Sequence, residues 1–441
     1  MIIDELMQFV WKDRKEQYEY WKKQSHLMTD LELYQFCGHK EMTYYTYPGT
    51  SMNLLSCSVC TYRKDHNFSG CSMCDYENND LQHQAFMEEL LIRDRQLYAK
   101  TIRQSFQNVR GFQSPPNVFE LISSYDVFSD KEFPEEVYQE IFADNALFSQ
   151  KPFSYILEAR ASSVTPEKLR MVRKYIPEPN RVMIECGVET SDEWVRNHWL
   201  NKGVTNEQIA TAVQEIHAAG FKSSADVLIG IPGFTEQQSI DQFVDTIKWL
   251  DEIGVDQIIM LPLNRKERTL QGIIYNWLRN DATLRKAALV QGEHTGVPWL
   301  NTIFRAIQTV LMEKPTMIGK LNLAQVFTYQ NSVSNVTAYN HEECNCNQIL
   351  IQALSHYQSN HNLQAFLEAA QYAESRQHKC FAQYLELLEI QSTYAVKNVM
   401  KTLLDHLARF VWTTSFGEKV FEFEKELSGY KRGENACIHG C

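Results

Sequence analysis

No stretch of this 441-residue chain approaches the ~18 consecutive apolar residues that a membrane-crossing helix needs, so a helical membrane protein is not expected. The opening segment, MIIDELMQFVWKDRKEQYEYWKK, is charged throughout and lacks the apolar core and small-residue cleavage site of a secretory signal. Without an export signal, the eleven cysteines are expected to be reduced thiols open to metals rather than a disulfide framework, and the expected compartment is the cytoplasm. A lysine- or arginine-rich block is also missing. The formal net charge of −12 disfavours a broad phosphate-tracking surface, although a local basic pocket is compatible with an acidic average. Small molecules or a protein partner are therefore expected ahead of nucleic acid. Internal repeats and low-complexity tracts are absent as well. What remains is ordinary for a soluble globular chain, 44% apolar and 22% charged. Its length allows two or three domains, or one barrel with appendages.

Short apolar runs alternate with amphipathic stretches from residue 50 onward. Met52–Leu55, Asn117–Ser123, Phe153–Arg160, Arg181–Glu189, Ser223–Ile231 and Asp256–Leu263 read as strands. Helices are expected at Met87–Phe106, Glu135–Ala143, Pro166–Tyr175, Asn206–Ala219 and Glu236–Ile253. VTPEKL and VTNEQI open two of them with threonine at the N-cap and glutamate soon after. This alternation implies parallel strands joined by crossover helices, with about six units before residue 263. The expected fold class is α/β, a partial (β/α)6 barrel over residues 51–305. An N-terminal extension, helical and then strand-prone at MTYYTYPGT, takes residues 1–50. A mainly helical region with a cysteine-containing tail takes 306–441, with one strand-like piece at AQVFTYQ. Functional residues in such a barrel gather at the C-terminal ends of the strands.

The segment SCSVCTYRKDHNFSGCSMCDY places Cys57, Cys60, Cys71 and Cys74 directly after the first barrel strand, at that mouth. Two Cys-x2-Cys pairs suit a tetrahedral zinc site closed by four thiolates. They also suit an iron–sulfur cluster in which three protein thiolates leave one iron free for a substrate or cofactor. Spacing alone does not separate the two. The loop's place after a barrel strand, rather than on small hairpins, favours the cluster.

Five segments in order carry a family resemblance. GCSMCDY is similar to a Gly-Cys-Thr-Met-Cys-Gly-Tyr signature, and it is followed by NVFELISSYDVFSDKEFP, YILEARASSVTPEKL, IECGVETSDEWVRNHWLNKGVT and LPLNRKERTLQGIIYNWL with GVPWL. In these the chain resembles the radical S-adenosylmethionine (SAM) superfamily, in the branch of the elongator catalytic subunit and the archaeosine-synthase radical-SAM subunit. The resemblance spans residues 52–302, and HEECNC extends it toward 346. It implies a radical-SAM barrel with a 4Fe-4S cluster, SAM chelated to the fourth iron, and reductive cleavage of a sulfonium carbon–sulfur bond to yield a carbon radical. It also implies a reductant such as flavodoxin or ferredoxin. Cys71 and Cys74 match the motif directly. The third ligand is Cys57, thirteen residues before Cys71, or Cys60, whose ten-residue gap is closer to family loops.

The resemblance further implies SAM contacts at Ser123, Ser124 and Asp126, where the family commonly has Gly-Gly-Glu. A serine-rich turn is the structural alternative. Glu158 and Arg160 put two charges into one strand, which is costly unless they face a polar mouth. Glu189 ends the fourth strand, and the planar fork of Arg196 suits the SAM carboxylate, with a solvated helix charge as its alternative.

Two more thiol pairs lie in HEECNC (His341, Cys344, Cys346) and ENACIHGC (Cys437, His439, Cys441). Cys344, Cys346, Cys437 and Cys441 are a candidate second site for zinc, an auxiliary iron–sulfur cluster or a thiophilic substrate such as trivalent arsenic, with unrelated thiols as the alternative. Cys186 is expected in the core, and Cys37 and Cys380 show no metal spacing. Two radical outcomes stay open, hydrogen abstraction by a 5′-deoxyadenosyl radical and 3-amino-3-carboxypropyl transfer to a soft acceptor. A tRNA-modifying role follows from the resemblance. A zinc-binding structural or interaction protein is the reading from another class.

Overall fold

Strands buried on both faces read as nearly continuous apolar runs, and the runs in this chain become a mostly parallel sheet. The computed structural model describes residues 1–40, 42–47, 50–55, 57–75, 80–110, 119–143, 154–324, 336–340, 344–375 and 378–431. One sheet follows the order of the chain: β1 (Thr43–Tyr47), β2 (Thr50–Leu54), β3 (Phe119–Ser123), β4 (Ser154–Ala159), β5 (Val182–Glu189), β6 (Lys222–Ile229), β7 (Gln257–Pro262) and β8 (Leu321–Leu323). β1 pairs with β2 antiparallel, and every later neighbour is parallel. Helical crossovers between parallel neighbours make this a partial barrel, the expected α/β class. The expected strands are β2 to β7. The parallel set has one more member than expected, because β8 adds a seventh strand of three residues. AQVFTYQ falls almost wholly outside the described residues.

Caps explain where the helices begin. Pro166–Tyr175 starts where Thr165 accepts the Lys168 N–H, with proline at the first position. Asn206–Ala218 and Glu236–Glu252 open on reciprocal boxes, Thr205 with Gln208 and Thr235 with Gln238. The single helix expected at Met87–Phe106 is instead two, Leu81–Arg93 and Arg95–Arg110. Asp94 leaves the helix at φ −149°, and its carboxylate accepts the Leu97 N–H at 3.0 Å. An aspartate between helical turns acts here as the cap of the second helix, ending the first.

The two faces of the sheet differ. Met52, Leu121, Ile156 and Met183 are register partners along one row and form a small apolar cluster separate from the main core. On the opposite face Ile122, Leu157, Ile184, Val188 and Val227 join Leu169, Val172, Ile216, Phe243 and Ile247 of the crossover helices. Side chains alternate along a strand, so the face that carries the apolar row carries Glu158, Glu185, Gly187, Ser224 and Asp226 further toward the C-terminal ends.

The helices Ile2–Val10, Lys12–Ser25 and Asp30–Gly38 precede the sheet. Ile3, Leu6, Met7 and Trp11 are fully buried in the main core. The Ile2 N–H donates to Glu426 at 3.0 Å, joining this segment to the helix Phe416–Leu427 near the other end of the described chain. Among the described residues no helix is long and apolar enough to cross a membrane.

Candidate functional site

The cysteine loop leaves the sheet at Leu55, whose N–H bonds the Ser123 carbonyl at 2.9 Å. Cys57 then turns inward and is 3% exposed. Burial pushes its thiol well up from the ordinary value, Glu132 adds to this, and Tyr98 and Ser124 lie against the sulfur. Cys60 stands at the N-cap of the short helix Thr61–Asp65. Asn67 and Phe68 take left-handed backbone before Gly70 at φ 61°. A Cβ on Gly70 would lie 2.8 Å from Arg63 Cζ. That guanidinium, 2% exposed, donates to the Ser69 carbonyl at 2.9 Å and the Cys74 carbonyl at 2.8 Å, and it stacks 3.8 Å over Trp11.

The second half of the loop is held from the π-helical turn Val195–Trp199. Ser72 donates its hydroxyl to Trp199 O and its N–H to Leu200 O, both at 2.8 Å. Asn201 donates to Gly70 O at 2.8 Å. Ser69 and Asn201 both donate to Asp4, so the N-terminal helix braces the same loop. Cys60, Cys71 and Cys74 are all half-buried, and their three sulfurs do not all lie within 4.8 Å of one another. An iron–sulfur cube sets its thiolates wider apart than a single ion does.

Two cations face these thiols. Burial opposes the charge on Arg160, but Cys71 and Cys60 hold it above the ordinary value; the guanidinium stacks 3.9 Å over Tyr62 and donates to the Lys202 carbonyl. Burial likewise opposes the charge on Lys202, which Glu189 and then Cys71 outweigh. Lys202 Nζ bonds Glu189 Oε1 at 2.6 Å. Its ammonium occupies the space a side chain at position 187 would fill, since a Cβ on Gly187 would sit 2.4 Å away. A register shift at Gly187–Glu189 leaves Glu189 at φ 68°, a conformation costing about 1–3 kcal/mol outside glycine.

The expected cofactor residues divide. Arg160, Glu158 and Glu189 are brought together on the thiol side: Ser123 bonds Glu158, and Lys202 and Glu189 act on it electrostatically, while burial first of all raises its carboxyl. Ser124 is buried beside Cys57. Asp126 is spent on the loop, accepting from Phe128 N at 3.1 Å, Arg160 N at 3.3 Å and Ser163 Oγ at 2.5 Å. Arg196 is tied into the backbone. Fully buried, it donates to the carbonyls of Val188, Thr190 and Val204 and to Asn206, so its fork ties the loop after β5. Burial lowers it to about 10.

Sequence reasoning missed Glu185 and Asp226 and gave Lys202 no role. Glu185 is the register partner of Glu158, and burial, then that neighbour, pushes it up to about 8. Burial, then Glu185, raises Asp226 well above the carboxylate range. The signal that singled out Glu158 and Arg160, charge inside an apolar strand, was equally present in IECGVE and SSADVLIGI.

A second group of thiols includes one member that the sequence did not group. Cys380, which shows no metal spacing, lies 2.9 Å from Cys344 Sγ and 3.1 Å from Cys346 Sγ. These three sulfurs form the cysteine cluster found among the described residues within 4.8 Å. Burial raises Cys344, but hydrogen bonds from Cys346 and Cys380 outweigh it and lower the thiol. Cys437 and Cys441 lie outside the described residues. Cys186 is in the core, as expected.

No family model matches the chain. The uncharacterized protein MJ0550 of Methanocaldococcus jannaschii is 22% identical over 304 residues, 69% of this chain and 74% of that protein. Among solved structures, the radical S-adenosylmethionine methyltransferase TsrM from Kitasatospora setae, with cobalamin and a 4Fe-4S cluster bound, is 14% identical; the match covers 52% of this chain and 39% of that one at a TM-score of 0.31. The archaeal Methanocaldococcus infernus Elp3 is 12% identical, over 66% of this chain and 61% of its own, at a TM-score of 0.38. The chain thus spans less than two thirds of either solved chain.

Proposed function

We propose that this chain is a radical SAM enzyme in which Cys60, Cys71 and Cys74 hold a 4Fe-4S cluster and Cys57 does not. The observation that carries this reading is the set of three half-buried thiols at the rim of the first parallel strand, facing Arg160 and Lys202, with Cys57 walled off by Tyr98, Ser124 and Glu132. The donor set fits the group: soft sulfur ligands, spaced wider than a single ion requires, beside two cations that offset thiolate charge.

When bound, the cluster and SAM supply reductive cleavage of a sulfonium carbon–sulfur bond. The protein's own residues do the rest. Arg63 and Asn201 fix the loop carbonyls, so the thiols keep their direction. Arg160 and Lys202 hold positive charge against Cys60 and Cys71. Glu158 and Glu189 present carboxylates suited to an amino or ribose group. The row Met52–Leu121–Ile156–Met183 closes the inner face with apolar side chains and excludes water from it.

The substrate class in this proposal is a small molecule, with a flavodoxin- or ferredoxin-type reductant. Anaerobic reconstitution should give brown protein with about four irons per loop. Incubation with SAM and dithionite should then release 5′-deoxyadenosine for the hydrogen-abstracting route, or methylthioadenosine for carboxypropyl transfer to a soft acceptor. Colourless protein holding one zinc in the loop, with no affinity for SAM, would overturn the proposal in favour of a structural zinc knuckle.

A further inference from the structure

We propose that Cys344, Cys346 and Cys380 form a binding site for one soft divalent cation of the zinc class, separate from the barrel chemistry, which staples the C-terminal helices together. The three sulfurs come from two separate parts of the sequence. Cys346 opens the helix Cys346–Asn360, Cys344 sits in the turn before it, and Cys380 lies in the first turn of Lys379–Gln391. The helix Leu363–Ala373 runs between these two, so an ion here closes a loop over the whole helical hairpin.

Small cysteines packed as apolar side chains are the plain alternative, since Ala288, Trp299, Phe381, Tyr384 and Leu387 wall the group. Three features argue for a ligand. The sulfurs converge on one point, with Cys380 Sγ 2.9 Å from Cys344 Sγ and 3.1 Å from Cys346 Sγ, instead of spreading into the wall. The Asn340 side-chain amide donates to Cys346 Sγ at 3.4 Å, and Asn340 is itself fixed by Asn301 Oδ1 at 2.9 Å and by Asn347 at 2.6 Å. An oriented N–H on sulfur is the outer-shell partner of a metal-bound thiolate, and an apolar wall has no use for it. Cys344 is half-buried while the other two are buried, which leaves one open side for a fourth ligand.

The ligand set selects the ion. Thiolates disfavour calcium and magnesium, which take oxygen donors. Sulfurs gathered within 4.8 Å suit one ion and crowd out a four-iron cube. Tetrahedral zinc with bonds of about 2.3 Å sets its sulfurs about 3.8 Å apart, so the group opens by less than about 1 Å on binding. Binding requires the thiols to release their protons.

The test uses the full chain, purified anaerobically under reducing conditions and offered zinc alone, then cobalt(II) alone in a zinc-free sample. About one zinc per chain and the intense visible bands of tetrahedral sulfur-ligated cobalt are expected, with at least a tenfold loss of affinity in Cys380→Ser and Cys344→Ser. If a variant does not fold, alkylation of the wild-type thiols with and without zinc, read by mass spectrometry, should protect these three cysteines only when zinc is present. Zinc retained by both variants, labelling unchanged by zinc, or a disulfide between two of the three thiols would each overturn the site. Loop iron measured in the same samples separates this outcome from the radical SAM reading, because loss of the zinc site leaves that iron in place.

Discussion

Replacing Glu185 by glutamine probes the acidic inner face of the barrel. Glu185 faces Glu158 across β4 and β5 and Ser224 across β5 and β6, and it is 7% exposed. Burial, then the charge of Glu158, raises its carboxyl from 4.5 to about 8. An acid whose folded value is raised binds its proton more tightly when folded. Its stabilising contribution is therefore full below the unfolded value and is lost as pH rises through the folded one. Between about pH 5.5 and about pH 8.5 this single group should remove about 3 kcal/mol of stability. Glutamine keeps the size and the hydrogen bonding while abolishing the proton linkage. Glu158 and Asp226 titrate in both proteins, so the difference between the two pH profiles reads Glu185 together with its charge coupling to these neighbours. Urea unfolding at the two pH values is the assay. Wild type should lose about 3 kcal/mol more than E185Q across the window. Parallel losses in the two proteins would refute the placing of Glu185 in a buried, like-charged neighbourhood.

Cys57→Ser should keep the full iron content after anaerobic reconstitution, whereas Cys60→Ser should lose most of it; iron analysis with circular dichroism as a folding control decides between them. Gly70→Ala forces a side chain into left-handed backbone against the Arg63 guanidinium. It should destabilise the loop by about 1–3 kcal/mol and lower iron retention several-fold while the overall fold survives. Lys202→Met strands Glu189 and should cost about 3–5 kcal/mol, read as a lower unfolding midpoint at neutral pH.

Much of the barrel was legible because its strands and caps are local signals. Apolar runs bounded by turn residues give β2 to β7, and Thr165 with Pro166 gives a helix with the expected bounds. β8 escaped because three residues carry no period. The break at Asp94 escaped because an aspartate on an amphipathic helix reads as a solvated charge until its carboxylate is seen capping the next turn. The loop thiols announce themselves by spacing, but the choice between Cys57 and Cys60 rests on burial against Tyr98, which no spacing contains. Lys202 acquires its place from the missing side chain at Gly187 and the bulge before Glu189, two features of another element. Cys380 joins Cys344 and Cys346 only because a helical hairpin folds back over the intervening chain.

Mössbauer spectroscopy of the iron-57-reconstituted wild type, before and after SAM is added, tests the central claim most directly. Three thiolate-held irons and one held otherwise predict that about one quarter of the signal shifts when SAM binds while the rest stays fixed. Four equivalent irons that ignore SAM, or a loop that takes up no iron at all, would contradict the account.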